Sequence, residues 1–386
     1  MKIRGNHFLR ILDRITGPGI LLFLRILPLA RRRHHVRKRI LVITNAALGD
    51  AVLYSGALRE AIRLRQDADW YIAAGDLVHE VLSLAGLACN RVPLDFGHLP
   101  QTIRALREIR ADTAIDVGQW SRTSAILTRL CGAKQRIGFS RKRQGRAAGF
   151  SETVSHRPDC HELDNFLALF SRVLPAGAAP ISRENALPRM PLVPGPPALP
   201  MQIADLAAKP ARQPHVVLHC FPGGKRAWMK ELSEEQCSGL VAGLASRGYT
   251  VFLTGSRNDH VRAETLLART LFTKNMPVNA CGLTLSETAS LLASAKAVIS
   301  VNTGIMHLAA ACGSPLVAIH GPTNPMRWGP TGNPEAIRII TPHSACQACL
   351  DLGGEYRCRT RLPACMQSIT PGDILVAVDS LLAKNR

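Results

Sequence analysis

From Arg39 onward the chain alternates short apolar, β-branched runs with stretches of helical spacing, and that alternation leaves few folds open. Residues 40–44, 70–73 and 113–117 read as strands. Residues 50–65, 77–85, 103–110 and 124–131 repeat apolar positions at helical intervals. Helical segments between successive strands imply a parallel sheet with helices on both faces. Helical spacing returns over 161–173, and the Pro- and Ala-rich stretch 174–214 then breaks it, which makes it the linker candidate. A second alternation follows, with strands at 215–219 and 250–254 and helices at 234–246, 260–271 and 286–294. A chain of 386 residues exceeds one ordinary core. The expectation is an α/β protein with two doubly wound, Rossmann-like domains, 40–175 and 214–340, joined by a linker at 176–213 and facing a cleft. Ligands of such sheets sit in the loops at the carboxyl ends of strands. A Cys-rich loop, 341–369, and a helix over 370–386 complete the chain, with Thr370 as cap and Pro371 at the first helical position.

A basic amphipathic arm, 1–39, precedes this alternation. It holds eleven Lys or Arg against the single acid Asp13, so a tenth of the chain carries half of the formal +20 charge. Such asymmetry points to an anionic partner. Residues 15–30 interleave Leu, Ile and Phe with basic residues, and Pro18, Arg25 and Pro28 interrupt any bilayer-spanning run. A signal peptide also begins with basic residues ahead of an apolar stretch, but Arg31, Arg32, Arg33, His34 and His35 follow with no small-residue cleavage pattern. An interfacial anchor on an anionic inner-membrane surface fits the pattern, with a basic tail as the alternative. The basic loop 141–146 is expected to face acidic lipid or acceptor phosphates. Aromatic residues make up 5%, with no stacking platform or known motif, so nucleic acid is not an expected partner.

Three loops carry chemistry. Residues 300–325, SVNTGIMHLAAACGSPLVAIHGPTNP, read as strand, small-residue turn, helix, buried strand and polar exit loop. The turn Asn302, Thr303, Gly304 opens a helix N-terminus, where unpaired N–H groups and the positive end of the helix dipole suit a diphosphate. His307, near the start of that helix, either reaches the ligand or packs structurally. The loop after the strand at 215–219 reads CFPGGKRAWMKELSEEQ, in which Gly223 and Gly224 permit backbone approach and Lys225, Arg226 and Lys230 supply cations. Ser233 with Gln236 matches a capping box. In NAALGD after the first strand, Asn45 and Gly49 shape the turn, and Asp50 either caps the following helix or serves as a general base.

Together ILVITNAALGDAVLYSGALREAI, the PGG…K…SEEQ loop, VFLTGS, the 300–325 block and the terminal cysteines resemble glycosyltransferase family 9, the heptosyltransferases of lipopolysaccharide synthesis, from about Ile40 to the C-terminus. The resemblance implies a GT-B fold, an ADP-heptose-like nucleotide sugar donor held by the C-terminal domain, inversion at the anomeric carbon, and no cofactor for catalysis. It implies Asp50 as the base with Asn45 and Gly49 on the acceptor side. It implies donor binding by Lys230, Asn302, Thr303, Gly304 and His307. The family usually carries Asp where this chain has Asn302, and Trp-Pro where it has Leu232 and Ser233, so Lys225 or Arg226 could take the place of Lys230.

Seven of the eleven cysteines sit in apolar or small-residue contexts and read as reduced core thiols. Cys346, Cys349, Cys358 and Cys365 are clustered with spacing C-x2-C-x8-C-x6-C, either a structural zinc or iron site or free thiols. The reading is a cytoplasmic enzyme, peripheral on the inner membrane, with a nucleotide sugar donor and a lipid-linked saccharide acceptor such as lipopolysaccharide core. A catalytically weakened nucleotide-sugar-binding protein, or a transferase using another nucleotide sugar, is the alternative.

Overall fold

The computed structural model describes residues 7–26, 37–142, 144–191, 203, 214–224, 226–269, 276–344, 346, 348–349, 358, 360 and 362–383. They form two compact units, Met1–Pro188 and Arg189–Arg386.

The first unit is built on six strands: β1 (Lys38–Ile43), β2 (Ala68–Ala74), β3 (Asn90–Pro93), β4 (Thr113–Asp116), β5 (Gln135–Ser140) and β6 (Glu152–Ser155). Their order is β3-β2-β1-β4-β5-β6 and every pairing is parallel, with Ile40 opposite both Trp70 and Thr113. Central β1 buries Ile40, Leu41, Val42 and Ile43 in succession because helices cover both faces. Helices α2 (Leu48–Leu64) and α3 (Asp76–Leu84) follow β1 and β2; α4 (Leu99–Glu108) and α5 (Arg122–Leu130) follow β3 and β4 after the strand order reverses. Leu106 and Ile109 of the α4 region and Leu127 and Cys131 of the α5 region share one apolar cluster with Leu41 and Ile43, so both helices cover one face. Helix α6 (Glu162–Phe170) completes the unit.

The N-terminal arm is less separate than its composition suggests. Helix α1 (His7–Ile26) runs straight through Pro18 and lies on α5, with Leu21 packed against Ala125 and Phe150. The Asp13 carboxylate accepts from the backbone N–H groups of Arg122 (3.0 Å) and Thr123 (2.6 Å), satisfying orphan donors at the start of α5. Arg31, Arg32, Arg33, His34 and His35 lie outside the described residues.

One cation of the basic loop 141–146 departs from the expectation. Arg146 is fully buried and pairs with the buried Asp116 at 2.7 Å, tying the end of β4 to the chain after β5, so it faces no lipid or acceptor. Burial raises the Asp116 carboxyl above its ordinary range against the opposing pull of Arg146. Arg141 stacks over the Trp120 ring at 5.1 Å.

The first half of the expected linker is ordered and packed. Ile181, Ala186 and Met190 are buried, and Arg59 of α2 donates to the carbonyls of Asn185 and Leu187. Residues 192–202 and 204–213 lie outside the described residues.

The second unit repeats the topology. Strands β7 (His215–His219), β8 (Thr250–Leu253), β9 (Val278–Asn279), β10 (Ala297–Val301), β11 (Leu316–Ile319) and β12 (Ile337–Ile340) pair in the order β12-β11-β10-β7-β8-β9, again all parallel. Helices α7 (Glu234–Ser246), α8 (His260–Ala268), α9 (Leu285–Ser294), α10 (Gly304–Ala311), α11 (Pro325–Trp328), α12 (Ala364–Gln367) and α13 (Pro371–Ala383) surround the sheet. The Ser233–Gln236 capping box forms as the sequence predicts. At the chain end Asp373 accepts from Thr370 and from its N–H, and Ile374, Val378 and Leu381 enter the core beside α7.

Candidate functional site

Both sheets share the order 3-2-1-4-5-6, so each has a switch point, between β1 and β4 and between β7 and β10. Loops leaving two strands in opposite directions part there and leave room for a ligand. The residues singled out by sequence lie at these points: Asn45 to Asp50 after β1, Lys230 in the loop after β7, and Asn302 to Gly304 after β10.

In the second unit the two loops meet. The Lys230 ammonium donates to the Asn302 carbonyl at 2.9 Å, which places its charge against the Thr303–Gly304 turn. Burial pulls the Lys230 pKa below the ordinary lysine value. Thr303 is the N-cap of α10 but makes no capping bond, and its buried hydroxyl has no hydrogen-bond partner. Gly304 begins the helix, so no side chain screens the first N–H groups. His307 is buried one turn further in. Gly224 takes φ +97°, a conformation that favours glycine, while Lys225 lies outside the described residues.

Asn302 faces partners that fix its amide orientation. Its Nδ2 donates to the Trp328 carbonyl at 3.2 Å and lies 3.2 Å from His320 Nδ1. A carboxylate could not donate to that carbonyl. His320, which the sequence reading passed over as part of an exit loop, is buried and also 3.1 Å from Thr323 Oγ1. Burial, with the nearby Lys230 charge, lowers its pKa to about 3, so the ring stays neutral. His219, at the end of β7 and 3.1 Å from Thr254 Oγ1, is lowered to about 4 by burial. One largely buried cation and two neutral imidazoles thus lie near one another at the carboxyl end of this sheet. The signal for both histidines was their position, the last residue of a buried strand or the first after one.

In the first unit, α2 begins at Leu48 with Ala47 as N-cap, which supplies no side-chain bond. Asp50 is therefore a first-turn residue rather than the cap, and its charge faces the positive end of the helix. Gly49 lies inside that turn of helix rather than in the tight loop expected of it. Asn45 is half-buried in the preceding loop. The carboxyl edge of this sheet carries a polar set that sequence reasoning missed. The Glu162 carboxylate accepts from Gln119 Nε2 at 2.8 Å and lies 2.7 Å from His156 Nε2, all three buried. His156 Nδ1, Trp120 Nε1 and both polar atoms of the Gln144 amide are buried without hydrogen-bond partners.

The terminal cysteines do not form the expected tetrathiolate among the described residues, where no three His, Cys, Asp or Glu side chains are arranged to hold a metal. Cys365 has joined the core of the second unit, while Cys346 and Cys349 are exposed and Cys358 is half-buried. Burial, helped by the neighbouring Cys346, Cys349 and Cys358 thiols, pushes the Cys365 pKa up to about 11. Residues 350–357, within the cluster, lie outside the described residues.

The family model for glycosyltransferase family 9 (heptosyltransferase) matches residues 100–360. Among curated proteins, lipooligosaccharide heptosyltransferase 2 of Haemophilus influenzae is 32% identical over 166 residues, 42% of this chain and 46% of that protein. The chain thus matches less than half the length of that relative. Lipopolysaccharide heptosyltransferase 1 of Pseudomonas aeruginosa is 26% identical over 377 residues, 89% of this chain and 98% of that protein. Among solved structures, E. coli ADP-heptose LPS heptosyltransferase II superposes with TM-score 0.70 at 22% identity, covering 90% of this chain and 99% of that one. The iron-containing dodecameric glycosyltransferase TibC of enterotoxigenic E. coli superposes with TM-score 0.56 at 16% identity, covering 92% and 78%. These likenesses agree with two Rossmann-like domains of GT-B type.

Proposed function

Because the chain belongs to glycosyltransferase family 9, the heptosyltransferase family, we propose that it transfers a heptose-like sugar from an ADP-sugar to the saccharide of a lipopolysaccharide-core or other lipid-linked acceptor. The observation that supports this most is the pairing of Lys230 with the turn at Asn302, which sets a cation beside a helix N-terminus and the unpartnered Thr303 hydroxyl. That combination suits a diphosphate better than a neutral ligand.

In this reading Asp50 takes the proton of the acceptor hydroxyl, whose oxygen attacks the anomeric carbon from the face opposite the nucleotide. The bond to the diphosphate oxygen breaks and the anomeric configuration inverts. Charge gathers on the departing diphosphate, where Lys230 and the N–H groups at Thr303 and Gly304 stabilise it more than they stabilise the ground state. Asn302 and His320 contribute neutral hydrogen-bonding groups beside the sugar. His307 lines the donor side, and Asn45 and Gly49 the acceptor side.

The same reading places the protein at an anionic membrane surface on the cytoplasmic side; no described helix is long and apolar enough to cross a bilayer. A titration series of ADP-, UDP- and GDP-sugars tests the donor assignment. Selective binding of the ADP-sugar, lost in Lys230→Gln, is expected; equal affinity for all three, unaffected by that substitution, overturns it.

A further inference from the structure

One face of the first unit carries two features that the transfer chemistry does not use. Helix α1 packs on α5 through Leu21, and Leu24 is also buried, yet its opposite side presents Ile15, Leu22 and Phe23 at 71, 64 and 61% exposure. Ile15 and Leu22 lie two turns apart on one side of the helix, with Phe23 beside Leu22, and exposed Arg14 and Arg25 border them on one side. On the other side of α5 lies an open cavity of about 570 Å³ lined by Arg39, Ile103, Arg104, Arg107, Glu108 and Arg110. Arg107 reaches across to the Leu130 carbonyl at the end of α5 (2.9 Å), so the cavity lies on the flank of α4 turned toward α5. The apolar stripe and the arginine cavity therefore share the helical layer formed by α4, α5 and α1.

The cavity is built for an anion. Four guanidiniums face a single carboxylate, and three are anchored by one hydrogen bond each: Arg39 to the Ile109 carbonyl, Arg107 to Leu130, and Arg104 to Glu108. Each keeps further N–H donors in a fixed fork. Arg110 has φ +53°, the one left-handed non-glycine residue among those described, a position that glycine or asparagine fills more easily.

We propose that this face is a docking surface for a bilayer rich in anionic phospholipid, with the α1 stripe entering the headgroup–acyl boundary and the arginine cavity seating lipid phosphates. The inference deepens the membrane reading above and rests on it, but it moves the contact from a basic tail to a folded, two-part surface. Hydrophobic insertion and headgroup attraction each give weak, reversible binding alone, and together they hold a protein at a surface. The basic residues 2, 4, 31, 32 and 33, next to α1 in sequence, carry charge of the same sign.

The test is co-sedimentation of the full chain with vesicles of phosphatidylcholine alone or with phosphatidylglycerol added. The wild type should bind the anionic vesicles and leave the neutral ones nearly unbound. Arg104→Gln, Arg107→Gln and Arg110→Gln combined should weaken anionic-vesicle binding by about 100-fold, at about fivefold per charge near the surface. Leu22→Ser with Phe23→Ser should weaken it by on the order of tenfold. All are exposed positions, and a cooperative thermal unfolding transition with an unchanged circular-dichroism spectrum confirms that both variants fold. Full retention of vesicle binding by the triple variant overturns the inference while leaving membrane association through the basic arm intact. Absence of binding by the wild type overturns both. Saturable binding of inorganic phosphate that needs the three arginines, without vesicle binding, assigns the cavity to a free anion and also overturns it.

Discussion

Lys230→Gln isolates the central electrostatic feature of the second unit. The ammonium donates to the Asn302 carbonyl at 2.9 Å and is held in a largely buried place. A hydrogen bond between a charged donor and a diphosphate contributes about 1.5–3 kcal/mol, so its loss should weaken ADP affinity by about 10- to 150-fold. The fold should suffer little. The lost donor to Asn302 costs about 1 kcal/mol, and removing a desolvated cation offsets part of that. Isothermal titration with ADP, beside thermal unfolding, measures both. The pH profile supplies a sharper signature, because burial lowers the Lys230 pKa. Wild-type affinity should decline as pH rises through that lowered value, short of the ordinary lysine value of about 10.4, and Lys230→Gln should lack the decline. ADP binding within twofold of wild type in Lys230→Gln, with the alkaline decline unchanged, would falsify the assignment of Lys230 to the diphosphate.

Asp50→Ala should lower turnover by about 10²- to 10⁴-fold while ADP affinity is kept, and turnover near wild type removes it as the base. His219 and His320, with pKa values of about 4 and 3 in the fold, bind fewer protons folded than unfolded below pH 6.5. Unfolding free energy should therefore fall as pH drops from about 6.5 toward 4, by up to about 1.4 kcal/mol per unit for each ring, and His320→Asn should flatten the slope. Arg146→Met leaves the buried Asp116 carboxylate without its counter-cation, and chemical denaturation should show a loss of about 3–5 kcal/mol. At Gly56 an added Cβ would lie 2.0 Å from the Ala186 carbonyl oxygen, so Gly56→Ala should expose residues 176–188 to limited proteolysis, and an unchanged cleavage pattern refutes that packing.

The central strands were legible because burial on both faces leaves mostly β-branched and apolar residues, as over Ile40–Ile43 and, Ser300 apart, Ala297–Val301. The edge strands were not: Asn90–Pro93 buries Val92 alone, and Glu152–Ser155 buries Val154 alone. Gln135–Ser140 also escapes the pattern, since its Gly138 lies directly under the Phe150 ring and leaves a break in the apolar run. The loops at both switch points were legible because each combines small residues with a charge immediately after a strand. His320 and His219 were not, since a histidine at a strand end looks the same whether it packs or faces a ligand, and only their common burial near Lys230 and Asn302 separates the two. Helix α1 shows the opposite failure. Composition set residues 1–39 apart as a basic amphipathic arm, whereas Pro18 is accommodated within α1 and Asp13 fastens the helix to α5.

The most direct test of the account is a turnover assay of the full chain with ADP-heptose and a lipid-linked saccharide acceptor, following ADP release and the anomeric configuration of the product. The account predicts acceptor-dependent ADP release with inversion, suppressed in both Asp50→Ala and Lys230→Gln. Acceptor-dependent release that survives both substitutions, or a product with retained configuration, contradicts it.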